Sequence, residues 1–249
     1  FISHKLHEVM AIADRVVVLR RGKMAGGVDT KDTDKNALAV MMMGTEATPP
    51  EVSPAKPGAP LLALSKVTTP DVGSVPGLKS VSLALKAGQI VGLAGVSGNG
   101  QAAMADVVGG LLSPSDGQVI LGSETVQKWT PRVAVQSGIA RIPEDRHKKG
   151  TIADFDLIEN AILERYKSPA FSKGGWMNWR KSRAFADGII DKYDVRCPGS
   201  DTPIRLLSGG NMQKLILGRV LEADPQIILA NQPVRGLDIG AVNYVHSQL

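Results

Sequence analysis

Three short stretches hold residue types that could handle a phosphorylated ligand. In the first, GVSGNGQA at 95–102, Gly95, Gly98 and Gly100 stand where an apolar run gives way to a helical one. Glycines so spaced let successive backbone N–H groups turn toward phosphate oxygens. A following lysine would add charge, and a hydroxyl residue would hold Mg²⁺. Here Asn99 lies inside the loop, and Gln101 and Ala102 occupy the lysine and hydroxyl positions. The missing lysine removes charge-assisted hydrogen bonds worth roughly 3–6 kcal/mol, or about two to four powers of ten in affinity. Backbone amides could still hold an anion weakly, and an ordinary tight turn would use the same glycines.

The second stretch is LLSGGNMQK at 206–214. Ser208, Gly209 and Gly210 stand at the start of an amphipathic run, where a hydroxyl, free amides and the helix dipole make an anion site. The plainer use of Ser208 is as a helix cap. The third stretch, PQIILANQP at 225–233, is a buried-strand pattern that runs into Asn231 and Gln232. Phosphoryl transfer needs a carboxylate for Mg²⁺ and another to polarise water at such a strand end. An amide is neutral and takes no proton at neutral pH. With Gln101 and Ala102, four chemical roles are absent together.

These stretches need a scaffold, and the pattern around them supplies one. An amphipathic helix is predicted from Leu6 to Ala13, a β-branched strand at 16–19, a turn at Arg21 and Gly22, and a helix from Asp34 to Met43. Five prolines in TEATPPEVSPAKPGAP predict an extended tether at 45–60. Beyond it, LLALSKVTT and LKSVSLALKAGQIVGLAG read as strands, QAAMADVVGGLL as a helix, QVILG as a strand and PRVAVQSG as a short helix. IARIPEDRHKKG runs from a strand into a charged loop, 154–193 is helical in pattern, and QIILA is a strand between two helices. Strands alternating with helices imply an α/β fold with a mainly parallel sheet covered by helices. The domain expectation is 1–44 as the end of one domain, 45–60 as linker and 61–249 as most of a second. The chain reads as an internal piece of a longer protein.

Composition limits the chemistry further. A net charge of +5 is mild, and with scattered basic residues charge alone is a weak argument for nucleic-acid binding. Cys197 is the single cysteine, so no internal disulfide can form. No apolar run approaches a membrane span, and His7, His147 and His246 show no metal-ligand spacing.

Taken in order, these motifs resemble those of the nucleotide-binding subunits of ABC transporters. LSGGNMQK resembles the family signature, with Ser208, Gly209, Gly210 and Gln213 facing ATP. GVSGNGQA resembles a degenerate Walker A loop, IILANQP a degenerate Walker B strand, and GLD a D-loop with Asp238. FISHKLHEV resembles the switch segment, with His4 as its catalytic histidine. GNMQK, PEDR and RGLDIGA are similar to the tandem ATPases of bacterial simple-sugar and nucleoside importers.

The resemblance implies a P-loop fold with an antiparallel β portion and a helical subdomain. It implies ATP and Mg²⁺ in the full-length protein, and transmembrane permease subunits with an indirectly engaged substrate-binding protein as partners. Nucleic acid is not among the expected partners, and the expected location is peripheral, at the cytoplasmic face of the inner membrane. In that scheme the signature closes over an ATP held by the other domain, whose Walker motifs are expected to be intact, and this segment alone is inactive. Glu144 falls at the Q-loop position, where a solvated charged turn is the alternative. Trp176 and Trp179 fall in the helical subdomain that docks a permease in this family. The rival reading is a tandem ABC ATPase acting on ribosomes or DNA.

Overall fold

Helices and strands alternate along the chain, and the computed structural model describes residues 1–3, 5–20, 22–44 and 55–249. Helix α1 spans Leu6–Ile12 and leads to the antiparallel hairpin of β1, Arg15–Arg20, and β2, Lys23–Asp29. Helix α2, Lys35–Met43, starts where the Asp34 carboxylate accepts the Ala37 N–H at 2.7 Å, and stops at Gly44 with φ 89°. Aspartate at a helix start and a left-handed glycine at its end satisfy backbone groups the helix cannot pair internally. His4, Arg21 and residues 45–54 of the expected tether lie outside the described residues.

Strand β3, Pro60–Thr68, is flanked on one side by β4, Val81–Lys86, and on the other by β5, Asp116–Leu121, all antiparallel. Helix α3, Gln101–Val108, lies between β4 and β5 in the chain, and the short β6, Glu124–Thr125, extends the sheet beyond β5. Helix α4, Pro131–Gln136, is capped by Thr130 and leads into β7, Ile139–Ile142. A π-helical turn, Arg146–Gly150, follows. Helix α5, Leu157–Ala161, opens with a reciprocal cap between Asp156 and Glu159. Strands β8, Ser172–Lys173, and β9, Trp176–Met177, form a tight hairpin before α6, Trp179–Lys192. Helix α7, Gly209–Leu221, precedes β10, Ile227–Ala230, and α8, Ile239–Gln248. Strand β10 lies parallel to β7, with Ile227 opposite Ile139 and Ala230 opposite Ile142.

The fold is therefore α/β, with a parallel pair, a larger antiparallel sheet and a helical region. The sequence leads one to expect a mainly parallel sheet, yet among the described residues the parallel part is the single β7–β10 pair and the four-stranded sheet is antiparallel. Two further expectations fail. The stretch at 90–94 has strand composition but makes no ladder among the described residues, and Ile90 and Leu93 stay exposed. A strand forms only where a neighbour accepts its N–H and C=O groups, and propensity alone does not provide one. The helical pattern at 154–193 is interrupted by the β8–β9 hairpin, because Gly174 and Gly175 both take positive φ, 59° and 85°, the geometry of a two-residue hairpin turn.

By compactness the chain divides into two units. One holds Phe1–Val52, Ser208–Gly210 and Val234–Leu249, and inside it α2 lies beside α8, with Asn243 Nδ2 3.7 Å from Met43 Sδ. The other holds Ser53–Leu207 and Asn211–Pro233. This grouping differs from the chain-order division at the tether, since the last helix clusters with the first segment. In the larger unit, α3 contributes Ala103, Met104, Val107 and Val108 to a core with Leu62, Leu64, Val119 and Ile139, against which Ile227 and Leu229 pack. A second buried set joins Leu157 and Ile158 of α5, Ala186 and Ile189 of α6, and Met212, Leu215, Ile216 and Leu217 of α7. Helices α6 and α7 approach closely at Gly218, where a Cβ would stand 2.4 Å from Ile189 Cγ2.

Candidate functional site

The loop at 95–102 hangs from the buried helix α3. Gly98 and Gly100 take φ of 89° and 95°, so both occupy the left-handed region that glycine adopts without strain. Gln101, the first residue of α3, then folds back over the loop. Its Nε2 donates to Val96 O at 2.8 Å, and its Oε1 accepts the Asn99 N–H at 3.0 Å. A Cβ on Gly95 would stand 2.4 Å from that Nε2, so the amide rests directly on the loop's first glycine. The Asn99 N–H is thus engaged by the chain's own side chain. A phosphate would have to displace the glutamine to reach it.

The parallel pairing of β7 and β10 brings Glu144 and Asn231 out at the same strand ends. Ala230 faces Ile142, and the Asn231 N–H continues the ladder by donating to Ile142 O at 3.0 Å. Gln232 follows, exposed, with φ 46°, a conformation that costs an L side chain about 1–2 kcal/mol. Carboxyl ends of parallel strands are the customary site for ligand chemistry in open α/β sheets. The donors delivered here are two neutral amides and Glu144, and Ala102 has no hydroxyl. Of that set only Glu144 carries the anionic oxygen that Mg²⁺ favours. Among the described residues no group of three or more His, Cys, Asp or Glu could hold a metal ion.

Beside Glu144 the charged turn is firmly built. The Asp145 carboxylate accepts the N–H groups of Lys148 and His147, each at 3.0 Å, and those bonds hold its pKa below the usual carboxylate range. Thr151 Oγ1 donates to Arg146 O at 2.8 Å. From α7, Arg219 reaches across to donate to Gly150 O at 2.9 Å and Asn160 O at 3.0 Å. Arg219 is only 4% exposed; burial lowers its pKa, and Glu164 at 3.8 Å opposes that shift. Asn160 is itself buried and satisfied, accepting the Ile152 N–H at 2.9 Å and donating to Asp156 O at 2.9 Å. Sequence reasoning did not single out Arg219, although a cation inside the apolar run LILGRVL was the available signal.

The start of α7 is the other candidate anion site. Ser208 immediately precedes its first residue, Gly209, and Gly210 follows, with no acidic side chain in the first turn. Gln213, expected to face ATP, is 1% exposed, and its Nε2 finds no hydrogen-bond partner among the described residues. The structure directs it inward because one turn past Gly209 this helix face meets the core; Ser208 is exposed, and Gly209 and Gly210 are half-buried, with a Cβ on Gly210 standing 3.5 Å from Ala241 Cβ. Lys214, next in the chain, donates to the Asp194 carboxylate at 2.7 Å and to Asp194 O at 2.8 Å. Asp238 caps α8, its carboxylate accepting the Ala241 N–H at 2.9 Å. His4 lies outside the described residues.

The profile of the ABC transporter family matches residues 78–235. The chain is 42% identical over 239 residues to the guanosine import ATP-binding protein NupO of Bacillus subtilis, covering 96% of this chain and 47% of that protein. It is 37% identical to the glucose import ATP-binding protein TsgD13 of Haloferax volcanii, over all of this chain and 46% of the relative. It is 34% identical to the nucleoside import ATP-binding protein NupA of Lactococcus lactis, over all of this chain and 49% of the relative. The chain thus spans about half the length of the curated relatives it matches. Among solved structures, an ATP-binding cassette dimer in a post-hydrolysis state with ADP and phosphate superposes with a TM-score of 0.61 at 24% identity, over 74% of this chain and 79% of that one. A nucleotide-free cassette gives 0.58 at 20% identity, over 74% of each chain. The fold is that of an ATP-binding cassette, and the chain belongs to the ABC transporter family.

Proposed function

We propose that this chain is the rear part of a tandem ATP-binding subunit of an importer for a nucleoside or simple sugar. Its residues 61–249 then form a degenerate second domain after a linker at 45–60, and residues 1–44 end the first domain. The second domain contributes Ser208, Gly209 and Gly210 to an ATP whose Mg²⁺ and catalytic groups belong to the first, with His4 on that first side. The single observation that carries the reading is the Gln101 amide, which closes the Walker-like loop on itself through Val96 O and the Asn99 N–H. Asn231 and Gln232 point the same way, since neither can act as a base. The printed functions of the relatives, import of guanosine, nucleosides and glucose, support the substrate class. The reading places the whole protein against permease subunits at the cytoplasmic face of the membrane, and no helix among the described residues is long and apolar enough to cross it.

The test is Gly209→Leu in the full-length protein assembled with its permease. A side chain there would block the close approach of backbone amides to a γ-phosphate. ATP turnover should fall about a hundredfold, the usual scale for losing an electrostatic contact to the transferring group. Turnover at the unaltered rate would overturn the proposal, as would steady hydrolysis of ATP by the 249-residue chain alone.

A further inference from the structure

Residues 194–207 carry the chain from the end of α6 to Ser208, and the start of this connection is bonded to α7 itself. After Tyr193 the chain turns at Asp194, which takes φ 49°. Tyr193 and Val195 are buried, and the Val195 N–H donates to Ile190 O at 2.9 Å, so the turn is fixed to α6. The next N–H, that of Arg196, donates to Asn211 Oδ1 at 3.0 Å. Asn211 is the third residue of α7 and directly follows Gly210. Lys214, three residues on and so on the same side of the helix, holds Asp194 through both its carboxylate and its carbonyl.

The Asn211 bond joins two residues 15 positions apart, and Ser208 lies inside the loop that it closes. Other bonds support the middle of that loop. The Leu157 N–H donates to Ser200 O at 3.1 Å, the Ile204 N–H to Phe155 O at 3.0 Å and the Arg205 N–H to Ala153 O at 3.2 Å. From α6, Arg183 donates to Ser200 Oγ at 3.2 Å and to Asp201 Oδ2 at 2.8 Å, and Ile204 is fully buried. Asparagine is among the weaker helix formers, so the stability of α7 does not account for its presence at the third position. Its reach does, since the amide carries an acceptor oxygen out to the Arg196 N–H.

We propose that Asn211 is a positioning residue for ATP turnover: by accepting the Arg196 N–H it pins the entry of the 196–211 loop to its exit and so sets where Ser208 stands. A loop closed at a further point samples fewer conformations, and a group that must meet a phosphate loses rate steeply when it is misplaced. The inference rests on the reading that Ser208, Gly209 and Gly210 close over ATP. It gives Asn211 an indirect part, acting through a backbone N–H, whereas a side chain lying against the triphosphate would respond to its own charge.

The experiment compares Asn211→Ala with Asn211→Asp in the full-length protein assembled with its permease, with Gly209→Leu as the reference. Aspartate keeps the acceptor oxygen and suits the first turn of a helix, but it would repel a triphosphate in direct contact. Asn211→Ala should lower kcat/KM for ATP about tenfold, with a raised KM. Asn211→Asp should recover most of that loss. Hydrogen exchange read by mass spectrometry should find the Arg196 amide faster to exchange in the alanine variant and protected in the aspartate one. A variant that merely loses folded protein would lower kcat at unchanged KM. If Asn211→Ala does not assemble, Asn211→Ser, whose hydroxyl is one bond shorter, takes its place. Parental kcat/KM in the alanine variant while Gly209→Leu is damaging overturns this proposal alone. So does an aspartate variant no better than alanine, a loss confined to kcat, or unchanged exchange at Arg196. If Gly209→Leu leaves turnover unaltered, the reading of Ser208 to Gly210 fails first and this proposal falls with it.

Discussion

Helices α3 and α7 both begin where glycine-rich backbone turns into a helix, yet opposite means hold the two starts. Above α3, Gln101 reaches back to Val96 and Asn99, so the loop satisfies its own donor and acceptor. At α7 the order comes from behind: Met212, Leu215, Ile216 and Leu217 are buried, and Arg219 ties the helix to Gly150 and Asn160. The first arrangement engages the Asn99 N–H with the chain's own amide. The second is a helix held through the buried face of its later turns. The same local device is thus closed by its own side chain in one place and held by the turns behind it in the other, and what differs is the support.

The sharpest way to break this contrast is to remove the anchor of α7. Arg219→Met keeps the volume and apolar stem but strands the carbonyls of Gly150 and Asn160. Replacing a buried ion with an apolar group can be neutral when nothing is left unpaired. Here two buried acceptors lose their donors at roughly 1–3 kcal/mol each, so a net loss of about 2–4 kcal/mol in unfolding free energy is expected. Urea unfolding of the chain measures it. A variant as stable as the parent would mean that apolar packing alone holds α7.

A smaller change should reopen the other loop. In Gln101→Lys the amide no longer bridges Val96 O and the Asn99 N–H, and an ammonium replaces it. One charge-assisted bond contributes about 1.5–3 kcal/mol, so affinity of the chain for an ATP analogue should rise about ten- to a hundredfold. Hydrolysis should not appear, because Asn231 and Gln232 still stand at the strand end. Equilibrium titration followed by fluorescence decides it, and unchanged affinity would show that the glutamine is not what closes the loop.

Much of this contrast was legible in the sequence, and the illegible part has a common cause. Helix α7 and strand β10 follow from apolar periodicity, and α2 from Asp34 and Gly44 at its ends. What could not be read was how side chains reach back across space. Nothing in GVSGNGQA says that Gln101 folds onto Asn99, and the burial of Gln213 depends on which face of α7 meets the core. The apolar run at 90–94 reads as a strand because propensity is local, while a ladder needs a neighbour. The β8–β9 hairpin is different, for Gly174–Gly175 between Lys173 and Trp176 was a turn signal that helical periodicity on either side outweighed.

The smallest expected effect concerns the outer tie of α7. Lys214 bonds both the carboxylate and the carbonyl of Asp194, and the carboxylate bond holds the Asp194 pKa below its ordinary value, against a lesser opposing desolvation. A carboxylate whose pKa is lower folded than unfolded stabilises the fold fully above the unfolded value, and that contribution is lost as pH falls through the folded one. The Asp194 side chain is 64% exposed, so solvent screening limits the contribution to about 0.5 kcal/mol or less. Asp194→Asn isolates it, since the substituted chain would keep the backbone carbonyl bond and asparagine tolerates the φ of 49° found here. Chemical unfolding should find the parent slightly more stable at pH 7 and the two indistinguishable once the carboxylate is protonated. A gap that persists in acid would assign the tie to the shape of the turn, and α7 would then be held by packing and Arg219 alone.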